Sequence, residues 1–309
     1  MFADSTLQRI EVRGITLAVR LGGERNRTPL LLLHGHPQTH AMWHRVWDAL
    51  GAHFTLVAPD LRGYGDSDKP PSNATLGHAP YSKRTMAEDA VALMAALGHP
   101  HFRLLAHDRG ARVGHRLMID HPHAVERATL LDIAPTLAMY EQTTMDFARA
   151  YWHWFFLIQP EPLPETMIGA DTDHYLDGLM GRRHAGLAAF DEHALAEYRR
   201  CLRLPGAVHA MCEDYRAAAS IDLEHDRADR AAARRITQPL QVLWGAHGVV
   251  ARCFAPLTEW QRVADDVRGG ALPCGHYLAE EAPDALLAAA LPFLLADTPS
   301  SITTTTTTP

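Results

Sequence analysis

The sequence predicts an α/β fold: a doubly wound, mostly parallel sheet with an inserted helical cap. Three observations lead there. Leu30–Leu33, Leu56–Ala58 and Leu240–Gly245 are short, almost unbroken apolar runs, the pattern of parallel strands covered on both faces. Stretches with apolar residues at helical spacing lie between such runs, Met86–Leu97 first among them. The strand texture then stops after Pro135 and resumes at Leu240, and the intervening chain is rich in helix formers and aromatics.

In chain order, Ile10–Leu21 reads as two alternating strands about a turn at Arg13-Gly14, followed by the runs at Leu30 and Leu56. The helix from Met86 stops at Gly98-His99-Pro100. Phe102–Ala106 is a strand, Arg112–Ile119 a helix ended by Asp120-His121-Pro122, and Thr129–Ile133 the next strand. From Thr136 to Arg230 there is no buried-strand pattern, only helical texture with a proline-rich break at Gln159–Pro164. Leu240–Gly245, a weak strand at Gly270–Pro273 and a helix at Asp284–Leu295 close the fold. The domain boundaries follow: residues 1–135 and 234–298 as two parts of one core, 136–233 as the cap, and 299–309 as a tail whose Thr303–Thr308 run is expected to be disordered.

Composition limits function less than fold. The 309 residues carry a formal charge of −7, which argues against nucleic acid or an anionic membrane surface as partner. The start, Met1-Phe2-Ala3-Asp4, lacks the basic and apolar regions of a signal peptide, and the apolar run Ala285–Ala296 is too short to span a bilayer. Cys201, Cys212, Cys253 and Cys274 form no C-x-x-C pair, so reduced thiols and a cytoplasmic location are expected. The 20 histidines are scattered without an H-E-x-x-H or Cys/His cluster, so no metal site and no cofactor are expected.

The chemistry concentrates at Leu104-Leu105-Ala106-His107-Asp108-Arg109-Gly110-Ala111-Arg112. An apolar strand, small residues two before and two after the centre, and a following helix make the shape of a nucleophile elbow. A serine is usual at its centre; Asp108 there implies attack on a saturated carbon and an enzyme ester. Asp108, Asp132 and His276 follow the nucleophile–acid–histidine order of the α/β-hydrolases, each after an expected strand. Many of those enzymes carry the acid in Trp-Gly-x-x-Asp, but here Trp244-Gly245-Ala246-His247-Gly248 places glycine in that slot, leaving Asp132 as acid partner. The bland alternative is that Asp132 caps a loop. His34-Gly35-His36-Pro37 resembles the superfamily's oxyanion loop, whose donors would be the backbone amides of His36 and Arg109. The glycine-rich loop Asp60–Ser67 is taken as structural.

Several segments together resemble the fluoroacetate (haloacetate) dehalogenases: His107–Arg116, Tyr151–Phe156, Glu213-Asp214-Tyr215-Arg216, Trp244-Gly245 with Gly248-Val249-Val250, and Cys274-Gly275-His276-Tyr277. The resemblance implies hydrolysis of fluoroacetate to glycolate and fluoride through an ester on Asp108, in a homodimer. It also implies a halide pocket of His153, Trp154 and Tyr215. The residue chemistry agrees with a small anionic substrate, because Arg109 and Arg112, one helical turn apart, can offset repulsion between its carboxylate and Asp108. For either arginine the plain alternative is a structural salt bridge. Ala106, where glycine is common, and His36, where an aromatic is common, depart from the pattern. An epoxide hydrolase of the same fold, a dehalogenase acting on longer or bulkier 2-haloacids, and a non-catalytic α/β-hydrolase-fold binding protein are the rival expectations.

Overall fold

The structure, a computed structural model, describes residues 1–2 and 4–297. The Thr303–Thr308 run lies outside the described residues.

Eight strands form one sheet: β1 (Thr6–Val12), β2 (Ile15–Gly23), β3 (Pro29–Leu33), β4 (Thr55–Pro59), β5 (Phe102–His107), β6 (Val125–Leu131), β7 (Leu240–Gly245) and β8 (Val267–Leu272). Their order across the sheet is β1-β2-β4-β3-β5-β6-β7-β8. β2 runs antiparallel to both β1 and β4, and every other pairing is parallel. The β1–β2 hairpin turns at Arg13-Gly14, both with positive φ (50° and 77°).

The unbroken apolar runs have a direct explanation. Neighbouring residues on a strand point to opposite faces. Leu30 and Leu32 of β3 enter one hydrophobic cluster, with Leu56, Leu105, Leu131 and Leu243. Leu31 and Leu33 enter a second, on the other face, with Val57, Leu104 and Val242. Both faces are covered, so alternation disappears. Helix α1 (Lys83–Ala96), capped by the Ser82 hydroxyl accepting from the Thr85 amide, packs on helix α2 (Asp108–Asp120) over one face. Helix α5 (Pro283–Leu295) contributes Leu286, Ala290 and Leu294 to the cluster on the opposite face.

Two strands depart from expectation. β6 starts at Val125 rather than Thr129, because its polar residues are internally paired. Arg127 donates to the Phe293 carbonyl (2.9 Å), and the Thr129 hydroxyl to the side-chain oxygen of Gln241 (2.9 Å). It ends at Leu131, and Asp132 turns out of the sheet with φ 51°. β8 starts at Val267 and is largely exposed on the sheet edge, so it carries no apolar run for a sequence to reveal.

Between β6 and β7 the described chain holds eight α-helices, from Thr136–Glu141 to Ile221–Ala231, and no strand. Two of them matter most below, α3 (Trp152–Leu157) and α4 (Ala207–Ala218). Tyr151, Trp154, Tyr198 and Tyr215 of this segment join Leu131, Leu243 and Tyr277 in one apolar cluster, so the helices sit on the carboxyl side of the sheet. β3 has β4 on one side and β5 on the other, which makes the β3/β5 boundary the point where strand order reverses. A crevice opens at such a point beyond the carboxyl ends of the strands.

Candidate active site

Asp108 lies at that crevice. It is the first residue of α2, follows β5 directly and has φ 45°, an uncommon conformation for a residue with a side chain. The expected helix therefore begins four residues earlier than its apolar pattern suggested, at Asp108 itself. Two glycines allow the tight approach. A Cβ on Gly35 would lie 2.5 Å from the Asp108 Cβ, and one on Gly110 would lie 2.4 Å from the His34 carbonyl oxygen. The His36 amide donates to Asp108 Oδ1 at 2.9 Å. The Arg109 amide, also expected in the oxyanion hole, belongs to the first turn of α2, where amides lack intrahelical acceptors.

His276 and Asp132 meet as the chain order suggested. His276 Nδ1 lies 2.5 Å from Asp132 Oδ2, and His276 Nε2 lies 4.0 Å from Asp108 Oδ2. Asp132 Oδ1 accepts the Gly245 amide at 2.9 Å, so each carboxylate oxygen has a fixed duty. Gly248 lies beside this carboxylate: a Cβ there would stand 3.4 Å from Asp132 Oδ1, an ordinary contact distance. The carboxylate from β6 occupies the space beside the β7 turn where a local acid would otherwise stand.

Burial alone would raise the Asp108 pKa, but His276, His107, Arg112 and Arg109 hold it well below the usual carboxylate range. Asp108 is thus anionic across the physiological range. Burial pushes His153 well below the ordinary histidine value and His36 down to about 3, so both rings are neutral. Burial, reinforced by the Asp108 charge, raises the Tyr215 phenol well above its usual value and keeps it protonated.

The two arginines are both buried, and neither offers a free fork. Arg109 Nε and Nη2 bind the Asp214 carboxylate at 2.7 and 2.8 Å, while its guanidinium stacks 4.2 Å from the centre of the Tyr215 ring. Asp214 also binds Lys83 Nζ and accepts from the Tyr64 hydroxyl (2.6 Å). One carboxylate therefore lies between two cations. Arg112 donates through Nη1 to Thr136 Oγ1 (2.9 Å) and stacks 4.6 Å from the centre of the Trp154 ring. Each arginine has one nitrogen left over: Arg109 Nη1 and Arg112 Nε are buried without a partner among the described residues.

The same is true of the polar atoms expected to meet a halide. His153 Nδ1, Trp154 Nε1 and the Tyr215 hydroxyl are all buried without hydrogen-bond partners. Their rings form one group: His153 to Tyr215 5.8 Å, Trp154 to Tyr215 6.4 Å, and His36 to Tyr215 5.3 Å between centroids. The His36 ring, which the sequence offered no reason to include, is part of this wall. Buried polar groups in folded proteins are nearly always satisfied, so several unsatisfied ones beside a single carboxylate mark a site that awaits a polar ligand. Sequence reasoning missed Asp214, which positions Arg109, and Tyr151, whose hydroxyl is likewise buried and unpartnered. Asp214 stands next to Tyr215 in a recognised segment, but no spacing rule would have paired it with Arg109, 105 positions away.

Residues 28–251 match the family model described as the alpha/beta hydrolase fold. A fluoroacetate dehalogenase from Burkholderia sp is 42% identical over 92% of this chain and 92% of its own. A soluble epoxide hydrolase from Corynebacterium sp. (strain C12) is 34% identical over 86% of this chain and 89% of its own. Among solved structures, a Nostoc sp PCC 7120 protein described as an alpha/beta hydrolase superposes with a TM-score of 0.92 at 49% identity, covering 96% of this chain and 100% of that one. The chain belongs to the α/β-hydrolase superfamily and, within it, to the haloacetate dehalogenase family.

Proposed function

We propose that the chain hydrolyses the carbon–halogen bond of haloacetates, converting fluoroacetate to glycolate and fluoride through an ester on Asp108. One observation carries this reading: beside Asp108, two guanidinium nitrogens and three neutral ring donors packed against them are buried without partners, two kinds of donor that suit a carboxylate and a departing halide. Arg109 Nη1 and Arg112 Nε would take its carboxylate with one charge-assisted bond each. His153, Trp154 and Tyr215 would take the departing halide, replacing the hydration that fluoride has in water.

The geometry gives each Asp108 oxygen a role. Oδ1 is held by the His36 amide, so Oδ2 is free to attack the halogen-bearing carbon in line as halide leaves. In the resulting ester, Oδ1 would be the carbonyl oxygen, beside the His36 amide that would serve as an oxyanion donor. His276, with Nδ1 against Asp132, has Nε2 on the side of Oδ2 and can take a proton from water attacking the ester carbon. Glycolate leaves and Asp108 is restored. The helical segment between β6 and β7 acts as the cap that supplies the halide donors and shields the ester from bulk water.

Epoxide hydrolysis is the second reading, favoured by the unpartnered hydroxyls of Tyr151 and Tyr215, which could protonate an opening epoxide oxygen. Arg112, a buried cation with no carboxylate bound to it, weighs against a neutral substrate. Single-turnover reaction with chloroacetate in heavy-oxygen water tests the ester route. The label is expected in Asp108 and not in the first glycolate formed; labelled first-turnover glycolate would refute the mechanism.

A further inference from the structure

His276 is held at both ends. Asp132 takes its ring, and a second group takes its backbone: His107 Nε2 lies 2.8 Å from the His276 carbonyl oxygen. A carbonyl can only accept, so His107 Nε2 carries the proton. Burial, reinforced by the neighbouring His276, pushes the His107 pKa down to about 4, so the ring is neutral and its other nitrogen is bare. That nitrogen, Nδ1, is buried without a partner among the described residues, and a Cβ on Gly35 would lie 2.9 Å from it. The one N–H of the His107 ring is therefore committed to His276.

The rest of the His276 loop has its own supports. Glu281, which ends the short helix Leu278–Glu281, accepts the Gly275 amide at 2.6 Å and the Tyr277 amide at 3.0 Å. The Cys274 carbonyl accepts the His247 amide at 3.0 Å. His107 ties this loop to β5, through its hydrogen bond and through its ring, whose centroid lies 4.7 Å from that of His276. His107 is the last residue of β5 and Asp108 is the next. Adjacent residues thus carry the Asp108 carboxylate and the side chain that holds His276.

This tether bears on a distance the reaction needs. His276 Nε2 stands 4.0 Å from Asp108 Oδ2, outside hydrogen-bond range. A ring that drifted closer would pair with the carboxylate, and one that drifted away would lose a water poised at the ester carbon. A misplacement of about 1 Å in such a constellation costs about 100-fold. We propose that His107 is a positioning residue for ester cleavage: its Nε2–H holds the His276 carbonyl and so sets the reach of His276 to the attacking water. The proposal rests on the ester reading above. Release of halide makes no use of His276, so it does not need the tether.

Single-turnover reactions with chloroacetate test this by following two signals: chloride release, and decay of the mass adduct on the Asp108 peptide. His107→Phe keeps a ring and removes the donor, and His107→Leu removes it with less bulk against Gly35. His107→Gln keeps a donor, since its amide nitrogen stands as many bonds from the backbone as histidine Nε2. In the Phe and Leu variants, chloride release should keep its wild-type rate while adduct decay slows by about 10- to 100-fold. His107→Gln should recover most of that loss. Added to Asp132→Asn, His107→Phe should slow decay little further, because both act through the same ring. Equal slowing of the two signals in the Phe and Leu variants would overturn the proposal, since His107 would then only shape the turn at Asp108. So would a His107→Gln protein whose adduct decays as slowly as that of His107→Phe, or full additivity with Asp132→Asn. Failure of the wild-type protein to release chloride or to form the adduct would instead refute the ester reading.

Discussion

Asp132→Asn should separate the two chemical steps. Asp132 Oδ1 accepts the Gly245 amide at 2.9 Å and Oδ2 faces His276 Nδ1 at 2.5 Å. An asparagine has one acceptor and one donor. The Gly245 amide can only donate, so the asparagine oxygen must turn to it, and the NH2 group then faces His276. His276 Nδ1 has to become the acceptor, which moves the ring proton to Nε2. That nitrogen points towards Asp108, 4.0 Å from Oδ2, and in this tautomer it can no longer take a proton from water. Where an aspartate orients a catalytic histidine, such a swap costs about 10⁴-fold, or about 5.5 kcal/mol of barrier. Ester formation needs no proton transfer, so it should survive. Rapid-mixing measurement of chloride should show a burst of one halide per active site, followed by turnover slowed by roughly 10³- to 10⁴-fold. The covalent adduct should appear as a mass increase on the peptide containing Asp108. Absence of a burst, with both phases slowed together, would refute the assignment of His276 and Asp132 to the second step.

Two further outcomes follow from buried groups. Trp154→Phe removes the unpartnered indole N–H while keeping a ring beneath Arg112; loss of one bond to a developing anion, about 1.5–3 kcal/mol, should lower fluoroacetate turnover roughly 10- to 150-fold. Chloroacetate should suffer distinctly less, because chloride is a better leaving group, and equal losses would remove Trp154 from the halide pocket. Glu280 is fully buried against Gln38 and Tyr198, and burial pushes its carboxyl up to about 8. Its folded-state pKa exceeds that of the unfolded chain, so its protonated form stabilises the fold at low pH and that contribution is lost as pH rises from about 4.5 through about 8. Thermal melts should show Tm falling over that window more steeply in the wild type than in Glu280→Gln; parallel curves would refute the shifted carboxyl.

The sheet was legible in the sequence where both faces are covered, because double burial writes an apolar run that needs no context. β3, β4, β5 and β7 are of this kind. β8 is an exposed edge strand with Gly269 and Gly270 inside it, and β6 contains Arg127 and Thr129 whose partners come from far along the chain. Nothing local distinguishes such residues from loop. The meeting of Asp108, Asp132 and His276 was legible for another reason: elbow geometry and chain order are local constraints, and Gly248 left Asp132 as the carboxylate to expect beside His276. The supports of the site were not legible, because Asp214 reaches Arg109 from a distant element and is itself held by Lys83 and Tyr64 from two others.

Arg109 shows why that distinction matters for function. As read from sequence it was either a substrate ligand or a salt bridge, as if the two excluded each other. In the structure it has the geometry of both: Asp214 binds Nε and Nη2, and Nη1 remains unpartnered. A buried guanidinium without a carboxylate would be costly to hold in place, and one with its whole fork occupied would have nothing left for substrate. Asp214 resolves this by fixing the plane and leaving a single donor free, and Lys83, itself beside Asp222, binds the same carboxylate. The placing of the free Arg109 nitrogen therefore depends on Asp214 and on the Lys83 and Tyr64 that hold it, and a search limited to the residues around Asp108 would miss what orients it.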